Sequence, residues 1–132
     1  MFEKFYGMKI LDTFAYGIDE FDFTPNLVGF GTSVGETGYA VLKFENGVIY
    51  LSTDGITTEK PVRENVHELQ TGDFRRDMVG KTLLAITRED RDDSKLSFTM
   101  QLEDCYPIEC YLEETDGHCD RNYFSLESTY ID

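Results

Sequence analysis

Cys105, Cys110, His118 and Cys119 are four soft ligands within fifteen residues, and the chemistry they could do is metal binding. Their spacing argues against it. Structural zinc sites take ligand pairs two to four residues apart, whereas four residues separate Cys105 from Cys110, and His118 and Cys119 are adjacent, pointing to opposite faces if extended. No metal and no cofactor is expected, and Cys110 reads as a small core residue. Asp90, Asp92 and Asp93 suggest calcium, but neither a glycine at the turning position nor a closing bidentate Glu follows, so they read as a solvated turn. Gly29, Gly31 and Gly35 in GFGTSVG are similar to a phosphate-cradling loop. Such a loop needs a lysine and a helix start after it, and here a strand follows.

Acid–base and nucleophilic chemistry have little to draw on. The chain has two histidines, His67 and His118, with no serine elbow and no recognisable Cys and His signature. With 26 Asp and Glu some carboxylate pair always falls close, so pairs alone carry no information. No catalytic residue is assigned and a non-enzymatic protein is expected. The most unusual patch is 103–120, which holds Glu103, Asp104, Glu109, Glu113, Glu114, Asp116 and Asp120 without a single Lys or Arg. Charge runs are ordinarily solvated faces. Here the acids coincide with Tyr106 and Tyr111, and charge around exposed aromatics is a workable docking surface for a basic protein. Those nine residues are the candidate partner-binding set.

The elements that would position them read mainly as β. Tyr39 to Ser52 alternates apolar and polar residues around Asn46-Gly47, a dipeptide suited to a two-residue hairpin turn. That turn sets Phe44 opposite Ile49 and Leu42 opposite Leu51, with Ala40, Leu42, Phe44, Ile49 and Leu51 on the buried face and Lys43 opposite Tyr50 outside. Further strands are expected at Met8 to Phe14, around Leu27 to Phe30, at Gly80 to Thr87, at Lys95 to Leu102, at Ile108 to Leu112 and in the tail from Asp120 to Ile131. Pro107 cannot donate to a ladder, which puts the Ile108 strand at a bulge or at an edge open to a dimer or a partner strand. Phe2, Phe5 and Tyr6 belong to the core, in a short helix or across a sheet, and a short helix is expected over Pro61 to Gln70, with His67 exposed beside Glu64 and Glu68.

Two stretches follow one plan. Gly7-Met8-Lys9-Ile10-Leu11 matches Gly80-Lys81-Thr82-Leu83-Leu84, and Phe44-Glu45-Asn46-Gly47 matches Leu102-Glu103-Asp104-Cys105. From Gly7 to Asn46 is 39 positions and from Gly80 to Asp104 is 24, so the first connection is 15 residues longer, and the surplus is the glycine-rich part. The expectation is one domain over 1–132 with an internal duplication of about 6–53 and 79–112, joined by a linker over 54–78. The fold class is mainly β, with α+β as the alternative: an antiparallel sheet or small open barrel of two similar strand-hairpin units with one or two short helices.

Length allows a single core without disulfides or a structural metal. Twelve Lys and Arg against 26 Asp and Glu give a formal charge of -14, which repels nucleic-acid phosphates and anionic membranes and attracts basic partners. No apolar run approaches the roughly 20 residues of a membrane span, and three cysteines form no disulfide framework, so a reduced, cytoplasmic protein is expected, monomeric or homodimeric. In size, acidity, lack of catalytic motifs and β-rich plan the chain resembles the small bacterial immunity proteins, which shield a cell from its own toxin. The resemblance implies an interaction protein that neutralises or regulates a basic partner, such as a toxin or a nucleic-acid enzyme. The alternative is a small-ligand or metal-responsive module whose pocket lies under the 15–38 insertion, lined by Phe21, Phe23 and Phe30.

Overall fold

The computed structural model describes residues 1–16, 32–35, 38–62, 70–89, 96–114 and 122–128. They form ten strands and two single turns of 3-10 helix. The strands are β1 (Asp12–Tyr16), β2 (Thr32–Gly35), β3 (Tyr39–Phe44), β4 (Gly47–Ser52), β5 (Gly55–Thr57), β6 (Gln70–Asp73), β7 (Leu83–Arg88), β8 (Ser97–Leu102), β9 (Ile108–Glu114) and β10 (Asn122–Ser128). Two antiparallel five-stranded sheets result, in the orders β5-β4-β3-β1-β6 and β2-β10-β9-β8-β7. The protein is mainly β, and neither sheet closes into a barrel among the described residues.

Period-two alternation decides which side chains meet between the sheets. Ala40, Leu42, Phe44, Ile49 and Leu51 are all buried on one face of β3 and β4, and Phe98, Met100, Leu102, Ile108, Cys110, Phe124 and Leu126 oppose them from β8, β9 and β10. β4 contacts β10 and β5 contacts β8 across this core. At the second of these contacts the backbone comes unusually close. A Cβ on Gly55 would sit 2.9 Å from the Phe98 ring, so the strand can pass over that ring only without a side chain.

The two halves obey one another's geometry. A 3-10 turn at Glu3–Phe5 runs into extended Tyr6 and then Gly7 at φ 85°, and a 3-10 turn at Arg76–Met78 runs into extended Val79 and then Gly80 at φ 87°. The strands that follow meet each other at the bridge between Lys9 and Thr82. About that bridge the hydrogen bonds come in matched pairs. Gly7 N donates to Leu83 O and Gly80 N to Ile10 O, both at 2.8 Å, while Ile10 N donates to Lys81 O and Leu83 N to Met8 O, both at 2.9 Å. The correspondence continues outward: Thr13 pairs with Leu42 as Ile86 pairs with Met100, and Leu42 pairs with Ile49 as Met100 pairs with Ile108. Each half is thus a four-stranded meander, β1-β3-β4-β5 and β7-β8-β9-β10, related by a local two-fold axis through the Lys9–Thr82 bridge.

Each 3-10 turn also reaches into the opposite meander. The Tyr6 hydroxyl accepts from Ile86 N at 3.1 Å and donates to Ile86 O at 3.2 Å, satisfying both backbone groups of this residue on β7, the end strand of its sheet among the described residues. At the matching position Thr13 O accepts from Arg76 Nη1 at 3.0 Å, and Asp12 accepts from Thr13 N and from Arg76. Beyond it β6 takes the edge of β1. β2, from the longer first connection, takes the edge of β10.

Three expectations are corrected. In the first hairpin Phe44 pairs with Gly47, Leu42 with Ile49 and Val41 with Tyr50, so the turn is Glu45-Asn46 and the register moves by two residues while the faces stay the same. The Asn46 side chain donates to Lys4 O at 2.8 Å, and a Cβ on Gly47 would sit 3.2 Å from the Phe5 ring, so tertiary contacts rather than the dipeptide choose the turn. β9 is no edge, because it pairs with β8 on one side and β10 on the other. Pro107 sits in the turn before Ile108, where its missing N–H takes nothing from the ladder. Pro61 and Val62 are not helical and Gln70 opens β6, while 63–69, including His67, lies outside the described residues. The strand expected around Leu27 to Phe30 falls outside them too, whereas the terminal strand is present as β10.

Candidate acidic face and the cavity at its edge

The outward face of the second sheet assembles in rows. Registers place Thr87, Thr99, Glu109 and Glu127 side by side across four strands, and Ser97, Tyr111 and Ser125 side by side in the next row. Gln101 lies outward on β8 and is exposed. Hydroxyls, an amide, two carboxylates, a tyrosine and Ala85, the partner of Gln101, share this face, with no Lys or Arg among these residues; Ser125 among them is buried. Glu109 and Glu127 are directly opposite each other on adjacent strands. Like charges so placed repel each other.

The turn from β8 to β9 continues the face at one end. Glu103 and Asp104 are exposed, Cys105 is half-buried, and Tyr106 is 46% exposed. Asp104 adopts φ 58°, in the left-handed region that Asp tolerates better than most residues. The turn stands beside the second 3-10 turn, and between them lies a cavity of about 170 Å³ lined by Arg75, Asp77, Met78, Leu102, Asp104 and Tyr106, together with Cys105 and Ile108. Arg75 is buried, and its Nε and Nη2 donate to the two carboxylate oxygens of Asp77, each at 2.9 Å. This fork-to-fork pair compensates the desolvation of the guanidinium.

Of the nine residues expected to bind a partner, five are placed on this surface: Glu103, Asp104 and Tyr106 at the turn, Glu109 and Tyr111 on the sheet face. Glu113 and Glu114 occupy the end of β9, opposite Tyr123 and Asn122. Asp116 and Asp120 lie outside the described residues, as do His118, Cys119, the triplet Asp90, Asp92 and Asp93, and most of the 15–38 insertion with Phe21, Phe23 and Phe30. Gly29 and Gly31 lie outside them as well, and Gly35 closes β2 as strand. Cys110 is wholly buried in the core, and burial pushes its thiol up to about 12. A thiol held protonated is a poor nucleophile.

Two features were not singled out from the sequence. Arg75 and Asp77 fall in what reads as linker, and the signal that finds them is the repeat itself, which, carried a few residues upstream, sets Arg75 against Phe2 and Asp77 against Lys4. The first sheet has an aromatic outward face, a chain of rings from Phe14 through Tyr16 and Tyr39 to Tyr50 at centroid distances of 5.3, 5.2 and 5.9 Å. Its members lie in three separate strand segments, so no local pattern announces it. No protein-family model, curated protein sequence or solved structure matches the chain.

Proposed function

We propose that the protein is a non-enzymatic interaction protein that binds a basic protein partner through the outward face of its second sheet, and so neutralises or regulates it. The observation that carries this reading is the row in which Glu109 and Glu127 stand opposite one another, on a face that also holds Thr87, Thr99, Gln101, Tyr111 and Ala85. Opposed carboxylates on adjacent strands repel each other. A lysine or arginine of a partner gains from both, and a chain with a formal charge of -14 draws such a partner in from a distance. A cationic nucleic-acid cleft, as in a toxin nuclease or a nucleic-acid enzyme, has the complementary charge, and the whole-chain resemblance to immunity proteins favours a bacterial toxin met in the cytoplasm.

The test is native purification of the full chain followed by association kinetics. A basic protein is expected to co-purify, with an on-rate that falls steeply as salt rises. Glu109→Lys together with Glu127→Lys slows association at least tenfold at low salt and leaves the fold intact, because both side chains face outward. A complex whose on-rate ignores both salt and these reversals would refute the reading.

A further inference from the structure

The local two-fold axis allows the cavity at the β8–β9 turn to be compared with its counterpart in the same chain, where aromatic rings pack together. There Phe5 stands where the second half has Met78, and Phe44 where it has Leu102, and the two rings pack at 4.8 Å. Phe2, buried, stands where the second half has Arg75. The first turn is also tied down, since the Asn46 amide donates to Lys4 O at 2.8 Å. The corresponding residues in the second half are Asp104 and Asp77. An ionised carboxylate has no hydrogen to give a carbonyl, so that tie cannot form, and the two acids repel. Three aromatic rings have thus been replaced by smaller or charged side chains and a closing hydrogen bond by a pair of acids, and the space is left open. Both non-glycine residues with positive φ among the described residues, Arg75 at 42° and Asp104 at 58°, line it. Strain held at one place, beside a void where the sister repeat packs aromatic rings, is what a binding site costs a fold.

We propose that this cavity seats one lysine or arginine side chain of the partner, its methylenes against Met78, Leu102 and Ile108 and its charged head between Asp104 and the ring of Tyr106. The size suits a single side chain rather than a metabolite, since pockets for drug-sized ligands run to roughly 300 Å³ and above. The charge of the lining selects a cation. Arg75 is already neutralised by Asp77 in a bidentate pair, which leaves the Asp104 carboxylate as the excess charge, and the Tyr106 face adds a cation–π partner. Interfaces concentrate their affinity in such anchor pockets. The proposal rests on the reading that the partner is a basic protein.

The experiment titrates the isotope-labelled full-length chain with n-propylguanidinium and n-butylammonium, analogues of the two side chains, and with acetate as the anionic control. Saturable amide shifts are expected at residues 75–78 and 102–108, with dissociation constants on the order of 1–10 mM, the range of a small fragment. Leu102→Phe, which installs the residue of the sister repeat, is expected to abolish them without lowering the melting temperature. Asp104→Asn, which keeps a side chain tolerant of positive φ, weakens binding about tenfold. Shifts spread over the acidic surface and indifferent to Leu102→Phe would overturn the proposal, as would saturation of the same residues by acetate. A basic protein that binds the wild type and Leu102→Phe equally overturns the anchor and leaves the wider reading standing. Analogues that bind at the cavity while no basic protein associates remove the wider reading and leave the cation site standing.

Discussion

Single residues here show burial and pairing setting chemistry in opposite directions. Cys110 is enclosed by the core, so its thiol, pushed up to about 12, stays protonated at neutral pH. Alkylation under native conditions should therefore leave Cys110 unmodified and half-buried Cys105 accessible, with both labelled in denaturant, as peptide mass spectrometry would read out. Asp12 lies at the surface, and the hydrogen bond from Arg76 holds its carboxyl below the usual carboxylate range. A carboxyl depressed in the folded state contributes stability that is fully present above its unfolded pKa, near 4, and is lost as pH falls through the lower folded value. Acid titration of the melting temperature should accordingly show Asp12→Asn converging on the wild type below about pH 4, the two differing most near neutrality. Arg75 marks the limit of legibility at this scale. Nothing local sets it apart from neighbouring Arg76, which is exposed, and only the position of Phe2 in the sister repeat reveals that Arg75 is a charge standing in a core position.

At the scale of elements, alternation in 39–52 and 95–102 was enough to obtain the strands and their buried faces, because side-chain periodicity is a property of the backbone. The register of the first hairpin was not, since Lys4 and Phe5, forty residues away, determine where it turns. The edge status of β9 was misread for a similar reason: its second neighbour comes from the C-terminal segment. Gly7 and Gly80 match in conformation as well as in sequence position, and the match makes a quantitative statement. Gly7 and Gly80 have φ of 85° and 87° with nothing within 4 Å of a built Cβ, so substitution by alanine meets backbone strain alone. Gly7→Ala and Gly80→Ala should each cost about 1–2 kcal/mol in denaturant unfolding, and by equal amounts within error. Gly55→Ala should cost more, because its Cβ also drives into the Phe98 ring. Glu127→Gln, by contrast, should stabilise the free protein by a few tenths of a kcal/mol while slowing partner association, the pattern expected where a surface charge is held for binding.

For the molecule as a whole, charge and topology have separate consequences. A formal charge of -14 means that added salt should raise the melting temperature of the free chain by screening its self-repulsion, while weakening its complex, and calorimetry beside binding kinetics would separate the two trends. Topology matters to how the chain is made. β1, β3, β4 and β5 are complete as a meander once the first half has left the ribosome, yet β2, which lies between β1 and β3 in sequence, pairs with β10. A nascent chain therefore carries β2 without this pairing until Asn122–Ser128 emerges. Deletion of Asn122–Ser128 would leave not a shortened sheet but an exposed one, with the edges of β2 and β9 open to a chaperone or a protease.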